Sequence, residues 1–228
     1  LTLTTTRPGK VSDPQNTKLY LNTDGSNATD YAIFVGDSSK FSDQLEFQYT
    51  VADGDNSEDL DYLNTTSLDF GPGTIKSAAG INLSSDLQVP GTLNSLSYGD
   101  GINSGHEIII NTRAPQIESF STINPDGRYS VGQNIVIRAT LSEEVDTNQT
   151  FKLVLDTGVG RTVEMTTNGS IRASGIYTIQ PDDSSESLKV LDILPESLTD
   201  DAGNSLLTTL PSSITVGNII VDTTAPTV

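Results

Sequence analysis

The sequence has no cysteine and no tryptophan, and only one histidine and one methionine. Without cysteine there are no disulfides, no thiolate metal sites and no cysteine nucleophile. With one histidine, any Ser-His-Asp arrangement would rest on His106, which lies beside the apolar run EIII and has no counterpart later in the chain. Basic residues are scarce as well. Lys and Arg number 12 against 30 Asp and Glu, for a formal charge of −18. That balance opposes phosphates and anionic bilayers, so nucleic acid and acidic membrane surfaces are excluded as partners while dissolved cations are favoured. No stretch reaches the roughly 18 apolar residues of a membrane helix, no glycine-rich phosphate loop occurs, and the N-terminal LTLTTTRPGK has no signal-peptide core. The expected product is a monomeric fragment of something longer, with no membrane insertion.

What the chain does have is a copy of itself. Residues 108–115, IIINTRAP, recur as IIVDTTAP at 219–226. YTVADGDNSEDL at 49–60 is matched by YTIQPDDSSESL at 177–188, and IKSAAGINL at 75–83 by LTDDAGNSL at 198–206. Three colinear matches at offsets of 111, 128 and 123 mean two homologous domains whose loops differ in length. The boundaries are read as 1–113 and 114–228. The second copy opens with APQIESFSTINPDGRYSVGQNIVIRATLSEEV, whereas LTLTTT aligns with IVIRAT at 135–140, so the first copy lacks its opening strand. The closing DTTAPTV repeats the start of copy two, and further copies are expected beyond it.

Short runs such as QNIVIRATL, TFKLVLDT, RTVEMTT and GIYTIQ alternate β-branched with polar residues. Period two over such lengths predicts half-buried antiparallel strands, and no window sustains a helical period. Turn signals punctuate them at Asn124-Pro125-Asp126-Gly127, Val159-Gly160 and Asp201-Ala202-Gly203-Asn204. About seven strands in about 110 residues predict an all-β chain of two tandem antiparallel β-sandwich domains. Pro115 and Pro226 stiffen the linkers. Five tyrosines, Tyr20, Tyr31, Tyr49, Tyr129 and Tyr177, fall in or beside strands and are assigned to packing.

NPDGRYSVGQNIVIRATLSEEV, YTIQPDDSSESL, TDDAGNSL and IIVDTTAP together resemble the tandem Ig-like or cadherin-like repeats of very large bacterial surface proteins and adhesins. GDNSEDLDY at 54–62 carries the same pattern in copy one. The resemblance covers nearly the whole chain. It implies an extracellular or cell-surface location and a spacer or adhesive role, often with calcium at or near domain junctions. Copy one departs from the pattern with Asn111 in the linker and Ala79-Gly80-Ile81 in the turn; copy two departs with Lys189 and Val190 where copy one has Asp61 and Tyr62.

ADGDNSEDLDY, residues 52–62, has two readings: a solvated acidic loop, or oxygen ligands for Ca2+. An EF-hand is rejected, since Glu58 stands where that loop needs glycine and Asn64 where it needs a bidentate glutamate. Sandwich topology offers another arrangement. Alternate loops share one end, so Asp126, Asp182 and Asp183 would face Asp222, and Asp53 and Asp55 would face Asn111, with Asp59 a further carboxylate of the same acidic loop. Glu143 and Asp201 stand at the entry end of a following domain. These ten residues are the candidate ligands. Three functions are weighed: a non-catalytic spacer repeat whose partners are neighbouring repeats, a ligand-binding adhesin module for a glycan or protein receptor, and an accessory module of an extracellular hydrolase. Repetition and stiff linkers favour the spacer.

Overall fold

A computed structural model describes residues 1–23, 30–97 and 108–225; His106 and Pro226 lie outside these ranges. Every helical or strand element among the described residues is a strand, and the chain divides into two compact units, Leu1–Thr112 and Arg113–Val228. Both are curled sheets folded around their own core, compatible with a two-domain β-sandwich.

In unit 1 the strands are β1 (Thr2–Val11), β2 (Lys18–Tyr20), β3 (Tyr31–Phe34), β4 (Ser42–Gln48), β5 (Asn56–Ser57), β6 (Leu68–Asp69), β7 (Ile75–Ser77) and β8 (Ile110–Asn111). One sheet runs β6-β2-β3-β4-β1-β7, and β5 pairs separately with β8. Unit 2 contains β9 (Ile117–Thr122), β10 (Gly127–Tyr129), β11 (Asn134–Leu141), β12 (Thr147–Leu155), β13 (Thr162–Asn168), β14 (Arg172–Thr178), β15 (Ser184–Ser185), β16 (Val190–Pro195) and β17 (Ile219–Asp222). Its large sheet runs β16-β12-β13-β14-β11-β9, and its small one β10-β17-β15.

Alternation does what the sequence pattern predicts. Along β11, Ile135, Ile137, Ala139 and Leu141 enter the core while Val136, Arg138 and Thr140 do not; a pleated strand puts successive side chains on opposite faces. The equivalent leucines Leu19 and Leu153, Leu21 and Leu155, and Leu60 and Leu188 are buried in their respective cores. Buried apolar residues number twelve in unit 1 and twenty-three in unit 2 among the described residues.

Two details differ from the sequence reading. The pair β10–β17 is parallel, Gly127 to Tyr129 against Ile219 to Val221, where antiparallel pairing was expected throughout. Parallel neighbours need a long crossover, and the intervening large sheet supplies it. Secondly, Leu3 opposes Leu45 while Ala139 opposes Ala173, so LTLTTT is equivalent to residues 137–142 rather than 135–140. A shift of two keeps every side chain on its face, so the alternating pattern alone could not separate the two registers. In agreement with the sequence reading, no strand among the described residues of unit 1 takes the place of β9 along the first half of β1, and β7 joins β1 at Gly9–Val11.

Candidate functional site

The most acidic stretch of the chain folds into a latch, and the same latch occurs in both units. In unit 1, Asp55 is 5% exposed. Its carboxylate accepts a short hydrogen bond from the Tyr49 hydroxyl and another from the Ala52 amide at 2.5 Å. In unit 2, Asp183 is fully buried and accepts from the Tyr177 hydroxyl and from the Gln180 amide at 2.7 Å. Both are a tyrosine followed six residues later by an aspartate that folds back onto the intervening turn. The residue before each aspartate must take positive φ, and it is Gly54 (97°) or Asp182 (68°). Glycine does so at no steric cost, and aspartate is among the residues that tolerate it.

The correspondence runs through the surrounding bonds. Thr112 donates to the carbonyl of Asp55 at 3.0 Å, and Thr223 to that of Asp183 at 2.8 Å. Both threonines belong to the repeated linker phrase. The next residues join the last strand of each unit in one register, Asn56 opposite Asn111 and Ser184 opposite Asp222. A second acceptor completes the closure. The Asn22 side-chain oxygen accepts from Ser57 Oγ (3.2 Å) and the Asp61 amide (2.8 Å); Asp156 accepts from Ser185 Oγ and the Lys189 amide, both at 2.9 Å. Beside the tyrosines stand Thr23, 3.4 Å from the Tyr49 oxygen, and Thr157, 3.0 Å from that of Tyr177. Since Tyr177 gives its proton to Asp183, Thr157 is the donor in that contact.

The latch binds its own chain. Buried polar groups cost free energy unless paired, and here each carboxylate is occupied by donors from its own turn. Burial, followed by the hydrogen bond to the aspartate, pushes both Tyr49 and Tyr177 up to about 12. Phenols so shifted keep their protons throughout the neutral range and serve as donors.

The candidate cation ligands divide accordingly. Asp55 and Asp183 are latch residues. Asp183 also faces Arg161 at 2.6 Å, and Asp222 faces Arg128 at 3.3 Å, so a guanidinium supplies positive charge at both. Asp126 accepts from Asn218 Nδ2 at 2.8 Å. Asn111 is held in the β5–β8 pair, and Glu143 is half-buried. Asp53, Asp59, Asp182 and Asp201 are exposed. Among the described residues, no three carboxylates or histidines are brought together in a geometry that could hold a metal. The turn at 200–204 is organised by Asp200, which accepts the Asn204 amide and side chain, each at 2.8 Å, rather than by Asp201.

Sequence reasoning, through the match of 49–60 with 177–188, aligned Asp55 with Asp183 and Gly54 with Asp182, and the backbone keeps that alignment. It assigned Tyr49 and Tyr177 to packing and passed over Asn22, Asp156, Thr112 and Thr223. The gap-free match of 49–62 with 177–190 carried the tyrosine-to-aspartate spacing and could have found the first pair. Arg161 left no such trace, because its counterpart is an acid. Asp61, specific to copy one in sequence, is a third buried carboxylate: it accepts from the amides of Tyr62 (2.8 Å), Gly91 (2.9 Å) and Leu96 (3.1 Å) and from Ser97 Oγ (2.7 Å). Burial pushes its pKa up, but the hydrogen bonds together outweigh burial and hold it below the ordinary value.

No family model, no curated protein and no solved structure matches the chain.

Proposed function

We propose that the chain is a non-catalytic segment of a repetitive spacer in a large secreted or cell-surface protein, of the kind whose Ig-like or cadherin-like repeats its motifs resemble. The observation that supports this is that the motif shared most fully by the two copies, from Tyr49 or Tyr177 through the linker threonine, is consumed in closing its own unit. What repetition preserves here is a means of locking the last strand to the body of the fold. A chain that must be copied end to end needs each copy to be closed at its exit, and the linker threonine ties that exit to the acidic loop. Neighbouring repeats are its partners in this reading.

Calcium enters the proposal only through exposed carboxylates such as Asp53, Asp59, Asp182 and Asp201, since the buried ones are engaged. Calorimetry with calcium and with a chelator tests that part, with a higher melting temperature expected in calcium. Identical melting curves remove calcium and leave the spacer. A glycan array and a hydrolase panel test the spacer itself. Silence on both is expected, and a saturable glycan hit or turnover overturns it.

A further inference from the structure

Among the described residues, unit 2 carries two neighbouring arginines without an acid partner, in a chain whose Asp and Glu outnumber Lys and Arg 30 to 12. On the outer face of its large sheet, Arg138 on β11 stands opposite Ser121 on β9 and Ser174 on β14, and Thr140 stands opposite Ser119 and Arg172. Ala139 and Ala173 enter the core, so both arginines point outward. They are diagonal neighbours on adjacent strands, a spacing of roughly 7–8 Å that long side chains span. Both are exposed, and among the described residues neither makes a salt bridge, whereas Arg128 and Arg161 of the same unit each face an aspartate. No carboxylate interrupts these two cross-strand rows.

The complementary charge lies in unit 1. Of the acids in ADGDNSEDLDY, Asp55 and Asp61 are buried and engaged by their own unit, which leaves Asp53, Glu58 and Asp59 exposed. Residues 52–62 contain no lysine or arginine, and among the described residues none of those three carboxylates makes a salt bridge.

We propose that the face bearing Arg138 and Arg172 binds the exposed acidic loop 53–59 of a second copy of this chain. The argument for that occupant is charge complementarity. Guanidinium forks take carboxylates two hydrogen bonds at a time, and the flanking hydroxyls of Ser121, Ser174 and Thr140 can donate to the remaining lone pairs. Each copy carries three such carboxylates free of any cation, which is the chemistry the face lacks. The formal charge of −18 opposes approach of two copies. At physiological ionic strength charges more than about 8 Å apart are largely screened, so the facing groups decide the contact. Face and loop are different surfaces, so the contact is heterologous, and unless it closes into a ring it continues beyond a dimer. The inference goes beyond the spacer reading and does not depend on it.

The test is sedimentation equilibrium of the 228-residue chain over a rising concentration series, at physiological ionic strength and with chelator present. A reversible rise in average mass is expected. Arg138→Ser with Arg172→Ser should weaken it by about fivefold, the scale of two exposed ion pairs, and leave the melting temperature unchanged because both side chains are outside the core. The decisive variant combines Asp53→Asn, Glu58→Gln and Asp59→Asn. It reduces the net charge and with it the general repulsion, yet it should weaken association as much as the arginine variant does. An equimolar mixture of the two variants retains one intact face and one intact loop, and it should associate again and stop at dimers. Absence of association overturns the proposal, as does association that the arginine variant keeps, that the loop variant keeps or strengthens, or that the mixture fails to restore.

Discussion

In unit 2 the buried carboxylate of the latch faces a guanidinium; in unit 1 the same backbone position carries another carboxylate. The Leu155 amide bonds the carbonyl of Arg161 at 2.9 Å, and the Leu21 amide bonds that of Asp30 at 3.0 Å, so the two residues are equivalent. Asp30 accepts from Thr23 Oγ1 at 2.9 Å and adds negative potential at Tyr49. The neutral part of the latch, tyrosine to aspartate to turn amide, is therefore sufficient in unit 1 to hold a buried acid, and the ion pair in unit 2 is an addition to it. The units differ also in core. Among the described residues unit 2 has β9 and nearly twice the buried apolar residues, whereas unit 1 has Asp61, which gathers the segment 91–97 by three hydrogen bonds. One closure device thus tolerates unequal bodies.

The largest expected effect separates the cores. Phe120→Ala should destabilise unit 2 by about 3–5 kcal/mol, the usual loss for a buried phenylalanine, and leave the melting of unit 1 unchanged in calorimetry of the intact chain. A shift in both transitions would mean that the units do not melt independently. Next comes the latch. Asp183→Ala strands Tyr177, the Gln180 amide and Arg161 together and should cost unit 2 about 3–5 kcal/mol; Asp55→Ala strands only neutral donors and should cost unit 1 about 1–3 kcal/mol. Equal losses in chemical denaturation would show the guanidinium to be without weight.

Acid sharpens the comparison further. The folded pKa of Asp61 lies below the ordinary 3.8, so its contribution is present above that value and is lost as pH falls through the lower, folded one. Lys189 holds the equivalent position in unit 2. Unit 1 should therefore carry an Asp61-dependent loss of stability below pH ~4, and Asp61→Asn should abolish that dependence while costing about 1–2 kcal/mol at neutral pH. A thermal melt series across pH reads both. The smallest effect is a transplant: Asp30→Arg should give Asp55 the partner Asp183 has and raise the stability of unit 1 by up to about 1 kcal/mol. A fall would place Asp30 among the residues unit 1 needs.

Much of this was legible in the alphabet of the chain. Alternation in QNIVIRATL and TFKLVLDT predicted β11 and β12, because a half-buried strand imposes period two on its own sequence. The repeated phrases located the acidic loop, the turn at 200–204 and the linker as equivalent features before any contact was seen. The role of the acidic loop was not legible. Asp53 and Asp55 are two residues apart and chemically identical, yet one is exposed and the other buried, since only the turn before β5 decides which folds back onto the tyrosine.

The sequence by itself determined an all-β chain with two copies of one pattern, because strand period and repetition are properties of residue order. Tertiary structure alone decided that Asp55 and Asp183 are internal acceptors and that Arg161 and Asp30 occupy one position with opposite charge. Each depends on residues far apart in sequence meeting in space, where burial and hydrogen-bond geometry, rather than composition, set what a carboxylate does.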